Sequence, residues 1–115
     1  MIKLNGERVK SVISNLRGGK GDLVKEDIFL PDEALGKLRL CGVITVPDGC
    51  SIGDHAHGPP EAEIYYILTG SLRVTDNGIT KDLSPGDAVF TGGGASHSVE
   101  NVSGKDATML AVIVN

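Results

Sequence analysis

The chain has 115 residues, with 11 Lys and Arg against 15 Asp and Glu and a formal charge of −4. That length predicts one domain spanning 1–115, and the charge balance argues against a general nucleic-acid surface. No tryptophan, two tyrosines and two phenylalanines likewise leave no platform for stacking single-stranded bases.

The first residues, Met1-Ile2-Lys3-Leu4-Asn5-Gly6, form no apolar leader, and no window approaches 18 apolar residues. The expectation is a cytoplasmic protein with no signal peptide and no membrane span. Cys41 and Cys50 are too few and too irregularly placed for a disulfide scaffold, so free thiols fit better. Cys41 reads as a small core residue and Cys50 as a possible pocket neighbour.

Glycine supplies 16 residues, about twice its usual share, which suits short strands joined by tight turns. Val9 to Ser14 reads as the first strand. The stretch holding Arg17, Lys20 and Lys25 reads as a glycine-rich loop with scattered, solvated cations. Pro31 to Lys37 allows at most one helical turn, because Pro31 suits a helix start and Gly36 ends it. Leu38 to Val46 is a longer strand closed by Pro47-Asp48-Gly49. Next come a strand through His55 and His57, a turn at Gly58-Pro59-Pro60, and a strand from Glu63 to Thr69. Ser71 to Thr75 alternates cleanly and meets Ile79 to Leu83 across Asn77-Gly78, the strongest short hairpin signal because both positions need positive φ. Ser84-Pro85-Gly86 turns again. Asp87 to Thr91, His97 to Asn101 and Ala107 to Val114 complete the set. Eight to ten short strands with helix below about one tenth predict an all-β sandwich or small barrel.

The chemistry concentrates in His55, His57, Glu63 and His97, whose three imidazoles are the only ones in the chain. Residues two apart on a strand point to one face, so His55 and His57 can converge on one ion. Glu63 heads the next strand and is expected to face the same interior from a neighbouring position. Imidazole and carboxylate are ligands for Zn, Mn, Fe, Ni or Co. Taken singly, each histidine is equally compatible with a surface or hydrogen-bonded residue, and spacing alone does not bring His97 to the others.

The region from Gly49 to Asn101 resembles the cupin superfamily, small single-domain type. Its first motif runs Gly49, His55, His57, Glu63, Gly70; its second runs Gly86, Gly92-Gly93-Gly94, His97, Asn101. Two departures stand inside the motifs. The gap from His57 to Glu63 is longer than usual and carries Pro59-Pro60, and Gly92 replaces a proline. The longer gap makes Glu61 a competing carboxylate; Glu63 is preferred because it keeps the six-residue spacing to Gly70 and opens a strand. A third departure is that the chain ahead of Gly49 carries no motif and is expected to supply flanking strands and the pocket rim.

The resemblance implies a double-stranded β-helix, or jelly-roll barrel, around one divalent metal ion held by three histidines and a glutamate. Family members include dioxygenases, isomerases, decarboxylases and lyases as well as non-catalytic binders. The leading expectation is a metal-dependent enzyme acting on a small oxygen-bearing substrate. The alternatives are a metal-containing module that binds a small molecule or carbohydrate without turnover, and a chiefly structural ion. Tyr65, two residues past Glu63, falls on the same strand face and is the candidate catalytic hydroxyl, to hydrogen-bond substrate or act as a base; a buried core tyrosine is the competing reading. Tyr66 faces the other way, toward packing or a subunit contact. Met109, Phe90 and Phe29 are candidates for an apolar pocket wall. Arg39 and Arg73 read as outer-face residues, although either could anchor a carboxylate. A homodimer is expected from the apolar excess of Val9, Val12, Ile13 and Leu16, with no membrane and no nucleic acid as partners.

Overall fold

A computed structural model describes all 115 residues as ten strands, two three-residue 3-10 turns and no α-helix. The strands are β1 (Val9–Ser14), β2 (Asp22–Asp27), β3 (Leu38–Val46), β4 (Ser51–Ala56), β5 (Ala62–Thr69), β6 (Leu72–Asp76), β7 (Ile79–Leu83), β8 (Ala88–Thr91), β9 (Ser96–Glu100) and β10 (Ala107–Val114). They form two antiparallel sheets, one of six strands in the order β1-β2-β3-β10-β5-β8 and one of four in the order β4-β9-β6-β7. This is a jelly-roll-like, all-β fold. No helix is long and apolar enough to cross a membrane.

Alternation explains how the sheets bury a shared core. Along β10, Ala107, Met109, Ala111 and Ile113 are buried while the residues between them are half-exposed. Along β5, Glu63, Tyr65 and Ile67 point inward and Ile64, Tyr66 and Leu68 outward. The inward sets meet Ile52, Leu72, Val74 and Val99 of the four-stranded sheet in one cluster that also holds Leu23, Ile44 and Val46. Each fully buried aliphatic or Met side chain of this kind stabilises the fold by about 1.5–3 kcal/mol.

The hairpin at Asn77-Gly78 has the expected geometry. Both residues have positive φ (48° and 82°), and Asp76 faces Ile79 across the turn. Gly70, the last glycine of the first motif, has φ 72°, and a Cβ there would lie 2.7 Å from the Asp106 carbonyl oxygen. It is a turn position where only a hydrogen fits.

Four expectations change. Residues 22–27, within the stretch read as a solvated loop, form β2, paired with both β1 and β3. Its charged sequence hides a strand because only Leu23 is fully buried, and the pairing is supplied by its neighbours. Glu63 does not lie beside the histidine strand: β5 belongs to the six-stranded sheet and β4 to the four-stranded one, so the carboxylate arrives from the opposite face of the core. Phe90 is 65 % exposed on the outer face and Met109 is fully buried, and neither they nor Phe29 line the cavity beside the histidines. Tyr66 is exposed on the outer face rather than packed between the sheets. Pro31 to Lys37 stays within the expected limit of one turn, as hydrogen-bonded turns closed by bonds such as Gly36 N–H to Pro31 O at 3.0 Å.

Candidate metal centre

His55 and His97 are register partners across β4 and β9, which is how residues 42 positions apart come to face one another. His57 lies one residue beyond the end of β4 and is buried. Glu63, from the facing sheet, completes the group. A cross-sheet bond stands immediately behind it: the Thr91 hydroxyl donates to the Asp76 carboxylate. Thr91 pairs with Glu63 on one sheet and Asp76 with His97 on the other, so this bond ties the sheets at the level of the site.

The four side chains present three Nε2 atoms and one carboxylate oxygen to a common point. Glu63 Oε1 lies 3.0 Å from His57 Nε2, 3.0 Å from His97 Nε2 and 3.8 Å from His55 Nε2. His97 Nε2 is 3.0 Å from His55 Nε2 and 3.3 Å from His57 Nε2. One ligand atom from each of the four residues lies within 4.8 Å of all the others.

The tautomers are set from behind. His55 Nδ1–H donates to the Gly53 carbonyl at 2.8 Å, and His57 Nδ1–H donates to Glu61 Oε1 at 2.8 Å. With the proton on Nδ1, each neutral ring turns a bare Nε2 lone pair toward the centre. Two lone pairs, a carboxylate oxygen and a third imidazole cannot satisfy one another by hydrogen bonding alone. His97 adds to this: its buried Nδ1 has no partner. A shared cation resolves the conflict, and separations near 3.0–3.8 Å suit donors that each approach one ion at about 2.0–2.2 Å. The residues fit a divalent metal.

Glu61 therefore competes with Glu63 in sequence but not in space. It stands behind His57, in the position of a partner that orients a ligating imidazole. Its own carboxylate accepts two bonds from Arg39, at 2.6 and 2.7 Å. The Arg39 guanidinium, with help from His57 and against a smaller cost of burial, holds the Glu61 carboxyl down at about 2. Burial pushes the Glu63 carboxyl up, but the polar groups of His55, His97 and Tyr65 that face it outweigh that cost, leaving it at about 2. Both carboxylates are ionised at neutral pH.

Tyr65 is buried, its ring stacked on His97 with centroids 4.7 Å apart, and its hydroxyl lies 3.3 Å from His97 Nε2. Burial, followed by the charge and hydrogen bond of Glu63, pushes this phenol well above its ordinary range, which favours a donor over a base. Asn101, the last residue of the second motif, is buried but does not reach the centre. Its side-chain amide donates to the Val46 and Lys105 carbonyls, so it pins a turn.

A cavity of about 170 Å³ opens onto His55, His57, Glu63 and Tyr65. Drug-sized ligands occupy roughly 300–1,000 Å³; this space suits a molecule of a few heavy atoms. Ile13 and Leu16 line it with Leu40, Ile44, Ile52 and Ile113, and Arg17, Lys25 and Arg39 bring positive charge to it. Of these three cations the sequence offered only Arg39 as a carboxylate anchor, and as the lesser of its two readings. Arg17 and Lys25 read as loop charges, and the local hint for them is the run of glycines around Arg17. Arg73 does sit outside, 40 % exposed and paired with Asp82 at 2.8 Å. Cys50 packs against the core cluster rather than lining the cavity.

Residues 42–113 match the model of the cupin domain family. The chain is 40 % identical over 114 residues to an oxalate-binding protein of Thermotoga maritima, covering 99 % of this chain and 93 % of the relative. It superposes with a TM-score of 0.93 on a crystal structure described as a predicted oxalate decarboxylase from Thermotoga maritima, at 39 % identity and covering 99 % of this chain and 98 % of the other. The polyketide cyclase RemF of Streptomyces resistomycificus shares the fold alone, with 19 % identity, a TM-score of 0.79 and coverage of 99 % and 78 %.

Proposed function

The chain belongs to the cupin domain family, and from that premise we propose a metal-dependent enzyme acting on a small carboxylate, with oxalate as the first candidate. The observation that carries this reading is the cavity itself: His55, His57 and Glu63 of the four-ligand cluster at its floor and three cations at its sides, in a volume suited to a small anion. The names borne by the Thermotoga relatives point to the same substrate class.

His55, His57, Glu63 and His97 would hold the ion. When bound, it supplies Lewis acidity that polarises a substrate oxygen. The protein supplies the rest. The apolar walls exclude water, the basic side chains receive carboxylate charge, and the Tyr65 hydroxyl donates toward substrate from beside His97. In decarboxylation of oxalate the carbon–carbon bond breaks, carbon dioxide leaves, and the electron pair stays on the other carbon. That carbon takes one proton to become formate, and Tyr65 is the neutral hydroxyl placed to pass it.

A second reading is capture of the anion without turnover. Glu63 is the only carboxylate lining the cavity, and it is committed to the ligand cluster, so no second acid stands beside the substrate position. One assay separates the two: purified protein loaded with Mn(II), Fe(II), Ni(II), Co(II) or Zn(II) in turn, given oxalate with and without oxygen, with formate and carbon dioxide measured. Product at catalytic turnover establishes the enzyme. Stoichiometric binding with no product establishes the binder, and neither binding nor product removes oxalate.

We also propose a homodimer through the outer face of the six-stranded sheet. Ile64, Tyr66 and Phe90 are 36 %, 43 % and 65 % exposed there, next to Leu110 and Val112 in register. A contiguous exposed apolar face of this kind marks an interaction surface. The N-terminal residues behind the original expectation divide: Ile13 and Leu16 serve the cavity, while Val9 and Val12 stay exposed.

A further inference from the structure

Two of the three cations around the cavity are already engaged. Arg39 is held by both oxygens of Glu61, and Lys25 Nζ lies 3.4 Å from Asp27 Oδ2. Arg17 lines the same cavity and pairs with no acidic side chain. We propose that Arg17 binds the carboxylate of a dicarboxylate that lies away from the metal ligands, and so makes the site select small dianions over monoanions. This rests on the small-carboxylate reading of the cavity.

The charge count favours a dianion. A divalent ion with three neutral imidazoles and one carboxylate carries a net single positive charge. The unpaired Arg17 guanidinium adds a second, and a dicarboxylate neutralises both. A planar guanidinium also matches a carboxylate with two parallel hydrogen bonds, which a lysine cannot copy.

The backbone shows how Arg17 is set in place. Asn15 and Arg17 both adopt left-handed conformations, with φ of 52° and 55°, a region that disfavours residues with a side chain. Contacts with the histidine strand stabilise this loop. A Cβ on Gly53 would lie 2.0 Å from the Arg17 carbonyl oxygen, and one on Gly19 would lie 2.2 Å from that of Ser51. Ser51 N–H donates to the Lys20 carbonyl at 2.8 Å, and Lys20 N–H donates to Ser51 Oγ at 2.9 Å. Gly53 is the residue whose carbonyl orients His55. The Arg17 loop and the ligand strand thus form one packed unit, and the backbone that carries the exposed Arg17 side chain sits at a set offset from the imidazoles. Such preorganisation lowers the entropic cost of binding.

The test is calorimetric titration of Mn(II)-loaded protein with oxalate and, separately, acetate, with metal content and melting temperature measured for each variant. Arg17→Gln should weaken oxalate about 10- to 100-fold, as loss of a charge-assisted bidentate pair implies, and change acetate less than about 2-fold. Arg17→Lys should recover part of the oxalate affinity. Arg17→Gly should lose oxalate as the glutamine variant does while melting at the same temperature or higher, because glycine adopts a φ near 55° without strain. Metal content should be unchanged throughout. Equal oxalate affinity in wild type and Arg17→Gln overturns the role of Arg17 alone, and parallel loss of acetate overturns the selectivity. Wild-type protein that binds neither anion overturns the carboxylate reading and this proposal with it.

Discussion

His57 Nδ1–H donates to Glu61 Oε1 across 2.8 Å, on the side of the ring opposite the ligand cluster. That bond turns a rival ligand into the group that aims a ligand. Removing the charge of Glu61 while keeping its shape should leave the four-ligand set intact but poorly oriented. Glu61→Gln is expected to weaken metal binding about 10- to 100-fold, read by competition with a chromogenic chelator. Complete loss of metal would instead make Glu61 a ligand, and unchanged affinity would make the bond incidental.

The Arg39–Glu61 pair carries a pH signature with a definite sign. Glu61 is held at about 2 in the folded chain against an ordinary 4.5. The unfolded chain therefore binds that proton more tightly, so the pair's contribution is full above about pH 4.5 and is lost as pH falls toward 2. Arg39→Met should lower the melting temperature of metal-free protein at pH 7 and have a smaller effect at pH 3. Thermal melts followed by circular dichroism measure both. An equal deficit at the two pH values would assign the effect to lost packing of the arginine stem.

Tyr65→Phe removes one oxygen from a stacked, buried ring. The fold and metal content should survive, while oxalate turnover falls about 10- to 10,000-fold, the range for losing an acid–base group. Steady-state kinetics beside metal analysis reads this directly. An unchanged rate would leave Tyr65 as packing against His97.

Tyr66, the next residue, points out of the fold and tests the dimer. Light scattering at micromolar concentration should give twice the 12.0 kDa chain mass for wild type and the single mass for Tyr66→Glu, because a buried unpaired carboxylate is costly at an interface. A wild-type mass near that of one chain would exclude the dimer under those conditions.

Local rules account for much of what could be read without coordinates. Val9–Ser14, Leu38–Val46, Ile79–Leu83 and Ala107–Val114 were legible to the residue, since alternating side chains and breakers such as Pro47-Asp48-Gly49 act over a few positions. The histidines and Glu63 were legible as a set through motif spacing. β2 was not, because its charged residues show no alternation and its hydrogen bonds come from β1 and β3.

What the sequence by itself determined is the all-β class, the turns and the identity of the ligand-type residues, all properties of short windows. Only the tertiary structure decided that Glu63 approaches from the opposite sheet, that Glu61 stands behind His57, and that Arg17, Lys25 and Arg39 surround one cavity. These relations join residues as far apart as Arg17 and Glu63 or lie on opposite sides of one imidazole ring. A strand's pattern specifies which face a side chain takes, not which sheet the strand will join, and that choice is made by burying all the apolar faces together.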